Sequence, residues 1–557
     1  MKRLNLKRNT KIQTHWAQGS VIYQIYPRSF QDSDSDGIGD IQGIISRLDY
    51  LKELDVNGVW ISPFYPSPMA DFGYDVADYC DIDPLFGTLE DFKQLLNAAH
   101  KRDIKIIIDI VPNHTSDEHK WFKQSKQPQK NKYSDWYIWR EPKGYLDNKP
   151  LPPNNWLDLF AGRSAWEWVE ERQAFYLHSF HVRQPDLNWS NPEVREAMKE
   201  VFRFWMRLGV DGFRVDAVTF LDKDPEFRDD PINPDYSPKF GTPYDQLEHT
   251  NSVYWPKVYT YLTEISNVLK EKPFRHQPRF MVTEGYVQRG THDIVDGYLK
   301  YFRSMDPEVA APFIFEGIDR PLNARDWHAF LRDFHTKLNQ LNPNAVSPYA
   351  FSNHDRSRIV SRYGAERAKA ISVMMLTLPG MIFIYYGDEL GMHDVNIPPD
   401  MVHDPGAVGG EGRDPERTPM QWTSGAAAGF SNNENTWLPI AHDYRLNNAE
   451  IESNQKDSFL SLYKALLQAR HESKALSLGA LNILAVEEDH IIAYSRQQGN
   501  ERYSTIMNLE DKTKGYSFDQ PGKVLISSAT GKSTDANVLH NYSLKPHEAI
   551  LIKHIKS

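Results

Sequence analysis

A chain of 557 residues exceeds one ordinary domain and suits a large catalytic domain with appended pieces. Hydrophobic residues at 40% and charged ones at 25% are usual for a globular protein, and a net charge of −11 excludes the basic face that a nucleic-acid partner demands. No stretch reaches about 18 consecutive apolar residues, so no membrane span or membrane partner is expected. Cys80 is the only cysteine, which rules out an intrachain disulfide, and the N-terminal MKRLNLKRNTKIQTHW has basic residues but no apolar run behind them. These features point to a cytoplasmic monomer or homodimer with an uncharged partner.

In chain order, the first apolar run is VIYQIY from Val21, followed by the acidic segment Asp32-Ser33-Asp34-Ser35-Asp36-Gly37-Ile38-Gly39-Asp40. Alternate aspartates closed by glycine match the start of an oxygen-ligand loop for a divalent cation, with the Ile38 carbonyl as a further ligand. A solvated acidic turn is the alternative. Further apolar runs start at Gly58 (GVWIS), Lys105 (KIIIDIV), Gly212 (GFRVDAV), Arg279 (RFMVTE), Ala311 (APFIFE), Ser347 (SPYAFSNH) and Met381 (MIFIYYGDE). Helical patterns such as those after Thr88, Asn191 and Gly364 lie between them.

Eight strands with room for a helix after each predict an α/β fold, a (β/α)8 TIM barrel, with a doubly wound open sheet as the alternative. Polar groups at the C-terminal ends of different strands favour the barrel, as does the lack of a Gly-rich phosphate loop after the first strand. The stretch between Pro112 and Pro192 is too long for a structureless loop and predicts an inserted subdomain. A second irregular segment, Met392 to Asn448, carries PPDMVHDPGAVGGEGRDPERTP and is expected over the barrel mouth. From about Leu476, short alternating runs predict a C-terminal antiparallel β-sandwich. The resulting division is a barrel from residues 1–113 and 186–475, an insertion over 114–185 and a β domain over 476–557.

Arg214 and Asp216 stand two apart on one strand and so share a face. The arginine is expected to lower the aspartate's pKa and keep it ionised, as a carboxylate nucleophile requires. A structural ion pair is the plainer reading. Asp216, Glu284 and Asp355 end three different strands, and two carboxyls about 5–5.5 Å apart suffice for glycoside cleavage with retention. Glu284 follows an apolar strand, which suits a general acid. A metal-dependent hydrolase is disfavoured because no His-x-His or HExxH spacing occurs.

The stretches DIVPNH (Asp109 to His114), GFRVDA (Gly212 to Ala217), Glu284 and NHD (Asn353 to Asp355) resemble the α-amylase superfamily, family 13 of the glycoside hydrolases. GYDVADY, QPDLNW and GRDPERTPMQW, taken in the same order, point to its α-glucosidase and oligo-1,6-glucosidase branch. The resemblance implies Asp216 as nucleophile, Glu284 as acid/base and Asp355 as transition-state stabiliser. It also implies that Asp75, His114, Arg214 and His354 hold the non-reducing glucose of a disaccharide or oligosaccharide, with Tyr74 beneath it. Arg417 would pair with Asp75 and close the pocket, making the enzyme exo-acting.

The resemblance further implies a structural Ca2+ or Mg2+ on Asp32, Asp34, Asp36, Ile38 and Asp40, and no organic cofactor. Thr283 stands where family members more often have glycine, adding bulk before the catalytic acid. Ala217 after the nucleophile implies α-1,4 preference and maltose-type substrates. An isomerase of the same superfamily, such as a trehalose or isomaltulose synthase, an oligo-1,6-glucosidase and a non-catalytic binding protein are the competing readings.

Overall fold

The computed structural model describes residues 15–239, 241–287, 293–407, 412–486, 490–532 and 537–555. The basic N-terminal stretch up to Thr14 and residues 408–411 of the Pro- and Gly-rich segment lie outside the described residues.

Eight short strands build the central sheet: β1 (Val21–Ile25), β2 (Gly58–Ile61), β3 (Lys105–Ile110), β4 (Gly212–Val215), β5 (Phe280–Thr283), β6 (Ala310–Pro312), β7 (Pro348–Ala350) and β8 (Met381–Tyr385). All are parallel, in the order β6-β5-β4-β3-β2-β1-β8-β7. Sheet neighbours are chain neighbours, the last strand lies beside the first, and an Ile314–Tyr349 bridge joins the free edges beyond β6 and β7. This is the order of a barrel, without the reversal of a doubly wound sheet. Nearly every strand residue is buried, which is why the runs read as mostly apolar sequence.

The surrounding helices have local reasons to start and stop. Thr88 and Asp91 form a capping box on α1 (Leu89–His100). Asn191 caps α2 (Pro192–Leu208), Pro192 fills its first turn, and Gly209 ends it in the left-handed region at φ +110°. Behind the site, Gly212 lets β4 and β5 approach: a Cβ there would lie 2.5 Å from the Phe280 carbonyl oxygen.

The insertion after β3 holds an antiparallel sheet of Trp139–Arg140, Ala174–Leu177 and Trp166–Val169, with a core around Trp156, Trp166 and Phe175. An isolated bridge between His114 and Asp186 closes its base. One long segment escaped the sequence reading. After β4 the chain does not pass directly into a helix but runs on through residues 221–256, where the described residues include a short turn at Pro243–Gln246, before α3 (Lys257–Val268).

At the C-terminus, α4 (Ala365–Thr377) and α5 (Phe459–Glu472) carry a seven-stranded antiparallel sheet. Its longest strand, Lys514–Ser527, pairs with Leu539–Leu544 along its first part and Ala549–His554 along its second. The two parts enclose an apolar cluster of Ile491, Ala493, Ile506, Val524, Leu544, Ile550 and Ile552, which gives the predicted sandwich.

Candidate active site

A cavity of about 1080 Å³ opens at the C-terminal ends of the barrel strands. Its floor includes Tyr74, His114, Asp216, Glu284, His354, Asp355 and Arg413, and its outer wall includes Phe160, Phe180, Phe220, Tyr254 and Tyr286. Register explains the centre. Asp109 on β3 and Val282 on β5 both lie beside Arg214, and the amides of Asp216 and Glu284 extend the ladder by donating to Ile110 O and Val215 O at 2.8 Å.

Arg214 is buried and serves three carboxylates. It donates to Asp109 at 2.9 and 3.2 Å, bonds Asp216 Oδ1, and pairs with Glu284 Oε2 at 3.0 Å. Sharing changes the electrostatics expected for a lone Arg-Asp pair. Burial pushes Asp216 well above the carboxylate range; Arg214 pulls it back, while Glu284 and Asp109 reinforce the rise. Burial likewise lifts Asp109 to about 7 against the pull of Arg214. The expected lowering of Asp216 is therefore reversed, because one guanidinium cannot offset three buried carboxylates. One guanidinium thus holds the Asp216 and Glu284 carboxyls side by side, through Nη1 and Nη2. Glu284 Oε2 also accepts the Ala217 amide at 2.9 Å, and Ala217 adopts a left-handed conformation at φ +46° to deliver it.

Behind this centre runs a polar chain. Gln24 Nε2 meets His354 Nδ1 at 2.8 Å, His354 Nε2 meets the Tyr74 hydroxyl at 2.7 Å, and Tyr74 donates to Asp109 at 3.1 Å. With Gln24 donating, the ring proton sits on Nε2 and faces Tyr74. The His354 and Tyr74 rings stack 5.4 Å apart. Burial holds His354 down at about 3 and His114 at about 4, so both are neutral at working pH. Burial acts against ionisation of Asp355, yet His354, Arg413 and Arg417 together keep its carboxyl well below the usual range.

Two expected residues exchange places with near neighbours. Asp75 is fully buried, does not line the cavity, and accepts from Ser67 Oγ and the Ala70 and Asp71 amides at 2.8–2.9 Å. Arg417 does not pair with it; it donates to His354 O at 2.7 Å and Asp355 Oδ1 at 3.0 Å from behind the floor. The pair that closes the cavity is Asp71 with Arg413, at 2.8 Å, and Gln184 Nε2 donates to the other Asp71 oxygen at 3.0 Å. Each motif offers two candidates four residues apart, Asp71/Asp75 and Arg413/Arg417, on irregular backbone where spacing indicates no face. The turn at Phe72 (φ +46°) and Gly73 (φ +104°) sends Asp75 inward and leaves Asp71 at the cavity. Thr283 also differs from expectation. It pairs beside Val215 and alternates with Glu284, so its bulk points away from the catalytic centre.

The acidic loop lies apart from the cavity and gathers Asp32, Asp34 and Asp40, whose oxygens come within 4.8 Å of one another. Asp36 is not in that group and accepts from the Ile38 amide at 2.7 Å. Three carboxylates form a hard-oxygen donor set that fits Ca2+ or Mg2+.

Residues 24–479 match the family model described as alpha amylase, catalytic domain. The chain belongs to the α-amylase family of glycoside hydrolases. This family member is 39% identical to an alpha-glucosidase of Apis mellifera over 503 residues, which cover 88% of this chain and 85% of the relative. It is 37% identical to Maltase 1 of Drosophila virilis over 566 residues, 97% of this chain and 87% of the relative. Among solved structures, the alpha-glucosyl transfer enzyme XgtA has a TM-score of 0.86 at 34% identity, covering 98% of this chain and 100% of that one. The trehalulose synthase MutB from Pseudomonas mesoacidophila MX-45 has a TM-score of 0.80 at 32% identity, covering 97% and 99%. These relatives place this glycoside hydrolase in the α-glucosidase branch of the family.

Proposed function

We propose that this enzyme is a retaining, exo-acting α-glucosidase that releases α-glucose from the non-reducing end of maltose-type α-glucosides. The observation that carries the reading is that one guanidinium, Arg214, holds both Asp216 and Glu284 at the cavity floor. Carboxyls held side by side match the close spacing of retention better than the wider spacing that inversion needs for its water. In this mechanism Asp216 Oδ attacks the anomeric carbon as the glycosidic C–O bond breaks, and Glu284, acting as the acid, gives a proton to the leaving oxygen. Glu284 then removes a proton from water, whose oxygen displaces the glucosyl ester. A sugar hydroxyl in place of water gives transglucosylation. Asp355, held ionised by its arginines, binds the distorted sugar and offsets the positive charge of the oxocarbenium-like state. His114, His354, Arg214 and Tyr74 complete the glucose subsite, and the Asp71–Arg413 pair replaces Asp75 and Arg417 as its closed end.

The experiment is a chromatographic time course on maltose, isomaltose and sucrose. Glucose as the dominant product from maltose is expected. Trehalose as the main product from maltose, or isomaltulose from sucrose, would instead establish an isomerase.

For the acidic loop we propose a structural divalent ion on Asp32, Asp34 and Asp40, with water filling the remaining positions. The loop leans on the segment over the barrel mouth through Ser431 Oγ, which donates to Asp32 Oδ2 at 2.5 Å. Chelation is expected to release about one ion per chain and lower Tm by several degrees. Metal analysis finding no ion, with Tm unchanged, would remove the claim. A cytoplasmic location is proposed on the single, unpaired Cys80.

A further inference from the structure

The closed end of the cavity is held by a residue that does not line it. Asp404 has a side chain 1% exposed, and both of its oxygens are committed to Arg413. Arg413 Nε donates to Oδ1 and Oδ2 at 3.0 Å, its Nη2 to Oδ1 at 2.5 Å, and its backbone amide to Oδ2 at 2.7 Å. The turn around this pair is tight. Gly412 sits at φ +62°, and a Cβ there would lie 2.3 Å from Asp404 Oδ2. Asp414 Oδ2 accepts the His403 and Asp404 amides at 2.6 and 2.9 Å, fixing the other side of the turn.

With Nε and part of Nη2 tied to Asp404, the guanidinium has one direction left. Its remaining donors reach Asp71 Oδ1 at 2.8 Å and Asp355 Oδ1 at 3.2 Å, and the Phe160 ring lies 5.0 Å from its carbon. A planar fork held at one edge by a bidentate, charge-assisted pair presents its other edge in a fixed orientation. Without that edge, Arg413 becomes a long side chain held by one donor to each of two partners, with free rotamers. Asp71 and Asp355 would still attract it, but neither would hold it in the plane that closes the cavity.

We propose that Asp404 is a positioning residue for chain-end recognition: it holds Arg413 against Asp71, and its loss opens the site to substrates whose terminal glucose is extended or blocked. This inference rests on the exo-acting reading above. It predicts a change in substrate choice, which a simple loss of stability would not produce.

The test uses the full chain and two variants, Asp404→Ala and the isosteric Asp404→Asn. Each is assayed by product chromatography on a maltoheptaoside with a free terminal glucose and on the same compound with that glucose blocked as a cyclic acetal. The wild type is expected to cleave only the free form. In both variants the blocked-to-free ratio of kcat/KM is expected to rise roughly tenfold or more, with KM for maltose rising more than kcat falls. A parallel fall on both compounds, with an unchanged ratio, would overturn the proposal and leave Asp404 a purely structural residue. Asp404→Asn keeps the side-chain volume and one acceptor for the turn, so it carries the test if the alanine variant does not fold. A wild type that cleaves the blocked compound as fast as the free one would instead overturn the exo-acting reading, whatever the variants do.

Discussion

At the scale of single residues, the site is governed by how few cations serve many carboxylates. Arg214 is shared by Asp109, Asp216 and Glu284, which leaves Asp109 and Asp216 raised above the usual carboxylate range by burial. Ala217, next to that cluster, lines the cavity in a left-handed conformation with its amide on Glu284. Replacing Ala217 with Val adds two methyl groups at the point where the leaving sugar must lie. Val also tolerates the left-handed region poorly, at a cost of about 1–2 kcal/mol. Ala217→Val is expected to raise isomaltose turnover relative to maltose by roughly tenfold, the scale of a small steric change in an apolar pocket, while lowering Tm. Kinetics on the two disaccharides check this, and an unchanged ratio would refute the α-1,4 preference assigned to Ala217. The three acids were legible in sequence because each ends an apolar strand. Asp71 and Arg413 were not, since irregular backbone carries no period that separates them from Asp75 and Arg417. The pKa of Asp216 was unreadable for another reason: Asp109 and Glu284, its competitors for Arg214, come from other strands.

At the scale of elements, the eight apolar runs correspond to the eight barrel strands, because strands buried on both faces are mostly apolar, and the polar exceptions Gln24, Asp109 and Arg214 serve the site. The segment over residues 221–256 was missed although PINPDYSPKFGTP within it is rich in Pro and Gly, and it supplies much of the outer wall of the cavity. The turn after β8 makes a further prediction. Glu389 is fully buried there, and its Oε1 accepts from the Tyr23 hydroxyl on β1 and from Tyr50 at 2.7 Å each. Burial pushes this carboxyl up to about 7, opposed by the two tyrosine hydrogen bonds. A carboxyl raised on folding contributes stability that is fully present below its unfolded value near 4.5 and is lost as pH rises through about 7. At about 1.4 kcal/mol per pH unit, the loss amounts to roughly 3 kcal/mol. Glu389→Gln keeps an acceptor for both tyrosines and cannot ionise. Its Tm is therefore expected to fall less than the wild type's between about pH 4.5 and 7; parallel Tm curves would show that Glu389 does not titrate there.

At the scale of the whole molecule, two buried arginines that meet backbone carbonyls instead of acids cover the end of one barrel helix, and one of them reaches it from the β domain. Arg470, on the barrel helix α5, donates to Leu376 O, Leu378 O and Gly380 O at 2.7–3.0 Å, and Arg496, on the β domain, to Thr377 O at 2.8 Å. Both thereby cover the C-terminal end of α4, where a helix presents partial negative charge. Burial alone pushes Arg470 down to about 10, and burial together with Arg470 pushes Arg496 down to about 9. Such contacts cannot be read from sequence, since a backbone carbonyl leaves no signature in it. No helix among the described residues is long and apolar enough to cross a membrane. The net charge of −11 suits a pocket for neutral sugars, and the barrel and the insertion together line a cavity with paired carboxyls at its floor. The measurement that tests the central claim most directly is proton NMR of the anomeric region during maltose hydrolysis, recorded from the first minutes. Retention predicts that α-glucose appears first and that the β anomer grows later by mutarotation, whereas an early excess of β-glucose would contradict Asp216 and Glu284 as the nucleophile and acid of a retaining pair.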